Sequence, residues 1–309
     1  MAVYNGGKTL ETAVQSVLDQ DYQDWELVVI DDGSSDETPE ILANFAEKEA
    51  RIKVFRQPNR GLIASLNAAI GQAEGAYLAR LDADDACLPG RLRAQACFLD
   101  ENPDVGLVGG NFVLIDENGS VFGHSRLGAL DHAGCVERLK TLSAFFAHSS
   151  WMMRRSLVER LGGYSTWAKK AEDYEFLLRA IGVTRLACLA QPLIRLRKSE
   201  GSESFDPQCT QYRTTLTAWL WTFGDTGRSR EDLAAAVDQW FARHRVGRKM
   251  RAVQQATFAA AALKCFRLAR FATLALKALA TDPLVVWSYF WLRRVRMDLP
   301  THLAKSLSR

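Results

Sequence analysis

The sequence predicts an α/β protein, a mostly parallel sheet flanked by helices, with an α-helical C-terminal extension. Three observations carry that prediction. Over the first hundred residues, short apolar runs alternate with stretches of helical periodicity, the pattern of a parallel sheet covered on both faces. Two acidic stretches, Asp31–Asp36 and Asp82–Asp85, each follow such a run. Both therefore fall at the carboxyl edge of the sheet, where open α/β sheets hold ligands. From Gln208 onward every segment reads as helix, with Trp219, Trp221, Trp240, Phe241, Phe258 and Phe266 on apolar stripes.

Taken in order, Met1–Asn5 is an apolar stub closed by the turn signal Asn5-Gly6-Gly7. Leu10, Ala13, Val14, Val17 and Leu18 follow helical spacing. Trp25–Ile30 reads as a buried strand. Thr38-Pro39 reads as a helix start, with Thr38 as N-cap and Pro39 at the first helical position. Ile41, Leu42 and Phe45 form the stripe of that helix. Ile52–Phe55 is a short strand, Gln57–Gly61 a turn and Leu62–Gln72 a helix. Ala76–Leu81 is the next strand, and Leu88-Pro89 introduces another helix. Further on, Val105–Ile115 is a strand and Asp116–Gly119 a hairpin turn. His148–Arg154 reads as a strand, and Arg155–Leu161 as a short helix ended by Gly162-Gly163. Glu172–Ile181 is helical, with Phe176, Leu177 and Ala180 inward. Arg185–Leu189 is the last strand, and Ser199–Pro207 a polar connection.

The chain has 309 residues, 48% hydrophobic and 24% charged, ordinary for a globular protein and enough for a body over 1–207 and an extension over 208–309. The net charge of +3 conceals an asymmetry. Residues 228–309 hold 16 Lys+Arg against 5 Asp+Glu, whereas the residues before them hold 23 against 31. A basic tail on an acidic body suggests an anionic surface as partner; a solvated helical face is the alternative. Six scattered cysteines with no C-x-x-C pair argue against a zinc site and a disulfide framework. They fit a reducing, cytosolic compartment. The most apolar window, Phe271–Leu292, is broken by Lys277, Asp282 and Pro283, a poor pattern for a spanning helix.

Asp82, Asp84 and Asp85 put three carboxylates within four residues at a strand end. Carboxylates gathered there suit a hard cation, Mg²⁺ or Mn²⁺, which usually shares itself with substrate phosphates. A solvated acidic turn capping the next helix is the competing reading.

The chain from Ala2 to about Ser204 resembles the family 2 glycosyltransferases. The resemblance rests on an ordered set: Ala2–Asn5, Glu26–Asp36, Asn59-Arg60-Gly61, Asn67 with Ala73-Glu74-Gly75, Asp82–Asp85, His148-Ser149-Ser150, Gly162-Gly163-Tyr164 and Glu172-Asp173. It implies a GT-A (Rossmann-like) fold and an inverting enzyme moving a sugar from a nucleotide-sugar donor, a UDP-sugar first. The acceptor would be a glycan or lipid-linked hydroxyl in cell-surface polysaccharide synthesis. It further implies Asp84 as the ligand to the divalent cation, Mg²⁺ or Mn²⁺, with Asp82 reaching both the ribose and the metal. Tyr4 and Asp32 would grip the nucleotide base, with Asn5 and Asp31 beside them, and Asn59, Gly61 and Asn67 would line the nucleotide pocket. Asp173 would be the catalytic base and Glu172 its neighbour. His148 is placed at the acceptor or in the core, and Arg197 at the diphosphate. The absence of a Q-x-x-R-W motif favours single transfer over processive synthesis.

A nucleotidyltransferase of related fold and a non-catalytic nucleotide-sugar-binding protein of an assembly complex are the alternatives. No nucleic-acid-binding module accompanies the basic tail. The aromatics Trp287, Tyr289, Phe290 and Trp291 precede Arg293, Arg294 and Arg296. That pattern suggests peripheral contact of 271–297 with the inner face of an anionic membrane. Finally, the strand before Tyr4 is short by about three apolar residues, which suggests that Met1 is an internal methionine of a longer chain.

Overall fold

The computed structural model describes residues 1–141, 145–198, 210–224 and 227–243. The predicted features at Ser199–Pro207, Phe258, Phe266 and 271–297 lie outside them. The chain divides into two compact units, described separately: residues 1–137, 144–166 and 179–197, and residues 138–143, 167–178 and 198–309.

The first unit opens with a three-stranded parallel sheet in the order β1-β2-β3: β1 (Ala2–Val3), β2 (Leu27–Asp31) and β3 (Ile52–Arg56). The intervening helices are α1 (Gly7–Leu18), α2 (Thr38–Lys48) and α3 (Leu62–Gln72). Side chains alternate across β2 because strand periodicity is two. Leu27 and Val29 pack with Leu10, Val14 and Leu42 of α1 and α2. Val28 and Ile30 pack with Ala69 of α3 on the other face. All five β2 residues are buried, so both acids that follow its apolar run are carried to a fixed place.

The α2 start differs from the Thr-Pro reading. Glu37 is the N-cap and makes no side-chain capping bond, and Thr38 is already helical. Thr38 Oγ1 instead accepts from Gly6 N–H at 2.9 Å. Asp36 takes the capping work: Oδ1 accepts from Thr38 N–H at 3.1 Å and Oδ2 from Gly7 N–H at 3.0 Å. One carboxylate thus serves the first turns of two helices, favoured by both dipoles.

The second sheet is mixed. Its path is β4-β8-β6-β9-β5, with β7 on β6. The strands are β4 (Tyr77–Ala79), β5 (Ala86–Cys87), β6 (Val105–Ile115), β7 (Val121–His124), β8 (Met152–Arg154) and β9 (Arg185–Arg197). β6 and β9 run parallel, while β4 pairs antiparallel with β8. α4 (Arg91–Glu101) packs Leu92, Ala96 and Leu99 against Val105, Val108, Met152 and Ala187 of this sheet. α5 (His132–Lys140) and α6 (Arg155–Leu161) follow, and α6 ends at Gly162 with φ 71°, the left-handed cap that glycine serves.

Two strands differ from their sequence-predicted bounds. The His148–Arg154 run splits into a 3-10 turn, His148–Ser150, and β8. The serines explain it: Ser150 Oγ donates to Ala147 O at 2.7 Å, a local side-chain bond that competes with a ladder. β9 runs to Arg197 rather than stopping at Leu189. It passes Pro192 through register shifts around Asn111, whose amide donates to the carbonyls of Leu189 and Ala190. Bulges are where a strand tolerates proline.

In the second unit, α7 (Glu172–Ala180) begins with Glu172, Asp173 and Glu175 in its first turn. The helices α8 (Thr210–Phe223) and α9 (Arg230–Arg243) carry buried Leu216, Leu220, Leu233, Val237 and Phe241, and an Arg213–Asp238 ion pair of 2.5 Å links them. Trp219 is buried and donates Nε1–H to Lys140 O at 2.8 Å. Trp221, read as inward, is 52% exposed. It pairs edge-on with Trp167, and the Arg230 guanidinium lies over both rings. No helix among the described residues is long and apolar enough to cross a membrane.

Candidate active site

Three loops at the carboxyl ends of β1, β2 and β4 carry six of the thirteen predicted residues, counting Asp31 at the end of β2, and each is fixed by side-chain bonds to another part of the chain. The first holds Tyr4 and Asn5. Asn5 has φ 51°, a left-handed conformation that asparagine tolerates better than most residues. Its N–H donates to Ser34 Oγ at 2.9 Å, and its Oδ1 accepts from Ser35 N–H at 2.8 Å. Tyr4 is 54% exposed, so its ring is not core packing.

The second loop follows β2. Asp31 is buried; its Oδ1 accepts from Ser34 N–H at 2.9 Å, and its Oδ2 faces Arg56 Nε at 3.4 Å. Gly33 sits at φ 82°, and a Cβ there would meet Asn59 N at 2.9 Å, so only glycine lets these two loops touch. Asp32 is 4% exposed. Its Oδ1 accepts from Gln57 Nε2 at 2.7 Å and Arg60 N–H at 2.9 Å, and its Oδ2 from Gly61 N–H at 2.8 Å. Burial pushes the Asp32 carboxyl up, but these donors and Ser65 outweigh it and hold it below the usual range. The carboxylate read as a base-binding group is thus engaged in shaping the 57–61 loop. Asn59 and Gly61 are exposed on that loop, with Gly61 at φ 85°.

The third loop is the acidic one. One carboxylate oxygen from each of Asp82, Asp84 and Asp85 lies within 4.8 Å of the others. Asp82 and Asp84 are half-buried, and Asp85 is buried. The three differ in their support. Burial raises Asp82, but the ion pair with Arg80 and a bond from Ser149 Oγ of 2.6 Å bring it down to about 2. Burial and the charge of Asp82 push Asp84 up to about 6. Burial, then Asp82 and Asp84, push Asp85 up to about 8. Asp85 Oδ1 accepts from Arg197 N–H at 2.8 Å, while its buried Oδ2 has no hydrogen-bond partner among the described residues. Mutual repulsion and a buried oxygen without a hydrogen bond are what a divalent cation would relieve, and the oxygen-only donor set fits Mg²⁺ or Mn²⁺. The burial of Asp85 and half-burial of Asp82 and Asp84 count against the solvated-turn reading.

Three predicted residues have other occupations. Asn67 Nδ2 donates to Tyr164 O at 2.9 Å and its Oδ1 accepts from Tyr164 N–H at 2.8 Å, so this amide braces the Gly162–Tyr164 turn. His148 Nε2 lies 2.6 Å from Tyr164 Oη, and its ring packs 4.5 Å from Trp151. Burial and then Arg80 lower its pKa well below the usual value, which fits the core reading. Arg197 was placed on a diphosphate, but it lies in β9. Its Nε donates to Asp84 O at 2.9 Å and its Nη1 to the carbonyls of Asp116 and Glu117, both at 2.9 Å. It therefore clamps the acidic loop to the β6–β7 turn. Asp173 and Glu172 lie in the second unit; Glu172 is buried, and Asp173 Oδ1 accepts from Tyr174 N–H at 2.6 Å.

The residues missed were Arg80, Ser149 and Gln57. Only Ser149 had a signal, as part of His148-Ser149-Ser150; the other two act through partners 2 and 25 positions away.

Solved structures of similar fold define the class. TarS of S. aureus in complex with UDP-GlcNAc aligns with TM-score 0.60 at 18% identity, over 99% of this chain and 88% of that one. The mannosyltransferase PcManGT from Pyrobaculum calidifontis, with GDP-Man and Mn²⁺, aligns with TM-score 0.54 at 20% identity, over 99% and 85%. The fold is therefore that of the GT-A glycosyltransferases. Residues 1–162 match the profile of glycosyl transferase family 2, and the chain belongs to that family. EpsE of Bacillus subtilis is 35% identical over 58% of this chain and 64% of its own length. The O-antigen biosynthesis glycosyltransferase WbnJ of Escherichia coli is 30% identical over 59% and 70%.

Proposed function

We propose that this chain transfers a single sugar, with inversion, from a nucleoside-diphosphate sugar to a hydroxyl of a glycan or lipid-linked acceptor. UDP is the first choice of nucleotide, and cell-surface polysaccharide synthesis is the setting. The acidic cluster Asp82/Asp84/Asp85, within the family-matched segment, carries the reading. The name of WbnJ and the UDP-GlcNAc held by TarS support the setting and the nucleotide.

The residues divide the work. Asp84 and Asp82, with Asp85 behind them, would hold Mg²⁺ or Mn²⁺, which when bound takes up charge on the departing diphosphate. Tyr4 offers an exposed ring to the nucleotide base. Asp32 and Asp31 hold their loops in the shape that Asn59 and Gly61 present to the donor. Asp173 takes the proton from the acceptor hydroxyl as it attacks the anomeric carbon. The attacking oxygen and the leaving group must lie on opposite faces of the sugar, so configuration inverts. The catalytic body would extend over 1–207 and the basic helical extension over 208–309. Residues 271–297 would place the enzyme on the inner face of the cell membrane, beside a lipid-linked acceptor.

A thermal-shift panel of UDP, dTDP and GDP with Mn²⁺ or Mg²⁺ tests the donor. A ligand at 100 times its Kd stabilises by about 2.7 kcal/mol. A metal-dependent shift with UDP alone is expected; no shift with any nucleotide and metal overturns the reading.

A further inference from the structure

Arg80 is 7% exposed. Its main chain is fixed on both sides: its N–H donates to Trp151 O at 2.9 Å, and its carbonyl accepts from Arg91 Nη2 at 2.6 Å. Its Nη1 donates to Ser149 Oγ at 3.0 Å and forms the ion pair with Asp82 Oδ2. Ser149, also buried, donates Oγ–H to the same Oδ2 at 2.6 Å and accepts from Asp82 N–H at 3.2 Å. Both contacts converge on one oxygen of Asp82. Among the described residues, the other oxygen, Oδ1, carries no hydrogen bond.

Stability alone is a poor reason for this arrangement. A buried ion pair is often no more stabilising than apolar groups of the same volume. This one also leaves Arg80 Nε buried without an acceptor among the described residues. The arrangement does achieve orientation, because a carboxylate gripped at one oxygen by a guanidinium and a hydroxyl cannot rotate.

We propose that Arg80 and Ser149 are positioning residues that lock Asp82 through Oδ2, so that it presents Oδ1 to the divalent cation. The proposal rests on the reading of the acidic cluster as a cation site. Partners that orient a metal ligand typically contribute 10–100-fold to metal affinity.

Ser149→Ala is the clean variant, since it removes one hydroxyl and no charge. Mn²⁺ is titrated calorimetrically into the full chain in the presence of UDP, beside a thermal melt of each variant. The expected result is Mn²⁺ affinity about 10-fold weaker in Ser149→Ala, with a lower melting temperature but a cooperative melt showing that the variant is folded. Arg80→Lys keeps the charge but not the fork and should weaken Mn²⁺ similarly. Arg80→Met discriminates by sign. A guanidinium that merely offset negative charge would, once removed, leave tighter Mn²⁺ binding; a positioning guanidinium leaves it weaker. Parent-like Mn²⁺ affinity in Ser149→Ala, or tighter binding in Arg80→Met, overturns the proposal. If Arg80→Met does not fold, Ser149→Ala alone decides. A parent chain that takes up no Mn²⁺ with UDP overturns the cation-site reading instead.

Discussion

Replacing Asp32 with Asn tests how the second loop is held. The carboxylate receives three hydrogen bonds, from Gln57 Nε2, Arg60 N–H and Gly61 N–H. Asn keeps the volume but loses the charge and turns an NH₂ group toward one of these donors. Bonds to a charged acceptor contribute about 1.5–3 kcal/mol each, so a simple sum would reach about 4.5–9. That sum is too large, because Arg60 and Gly61 are exposed and water replaces what their N–H groups lose. The half-buried Gln57 amide loses one acceptor and keeps its bond to Ser65 Oγ at 3.0 Å, while the new NH₂ group opposes one of the remaining donors. The expected cost is therefore about 2–4 kcal/mol, a fall of about 5–10 °C in melting temperature.

The same mutant has a pH signature. Asp32 is held below the usual carboxylate range in the folded protein. Its contribution is therefore complete above the unfolded value of about 3.9 and is lost as pH falls through the lower folded one. Melts of parent and variant from pH 7 downward should keep a constant gap to about pH 4.5, and the gap should close below that. UDP binding should weaken as well, since Gly61 lies on the freed loop. A gap near zero at pH 7, or one that widens on acidification, would refute the argument.

The remaining predictions are brief. Asp84→Ala should abolish sugar transfer and metal-dependent nucleotide binding together; UDP binding that still responds to Mn²⁺ in the mutant would sink the ligand assignment. Asp173→Asn keeps shape but cannot take a proton, so kcat should fall by roughly 10²–10⁴ with donor affinity intact. Equal loss of both in calorimetry and initial-rate assays would mark it as structural. Gly33→Ala must carry a side chain at φ 82° and crowd Asn59 N, so it should destabilise by about 1–3 kcal/mol, read by chemical denaturation.

What was legible in the sequence was what local pattern decides. Leu62–Gln72, Val105–Ile115 and Arg155–Leu161 match their observed bounds because apolar periodicity and flanking turn residues act within a few positions. Strand partners are not local: nothing in Tyr77–Ala79 says that its neighbour is the antiparallel β8. The site followed the same division. The Asp82–Asp85 cluster was visible as a run of acids. The engagements of Asn67 with Tyr164 and of Arg197 with Asp84 span 97 and 113 positions, and no spacing rule reaches that far. The resemblance marked those positions, but the structure gives them bracing and clamping contacts.

Tyr4 stands on a backbone whose next residue is pinned to the second loop from both its N–H and its side chain. An aromatic ring has only two side-chain torsions, so with the main chain already held, little disorder remains to be lost when a flat partner settles on it. Interactions of that kind gain affinity by avoiding an ordering cost rather than by adding contacts. Loosening Asn5 would then weaken stacking on Tyr4 without altering the ring itself.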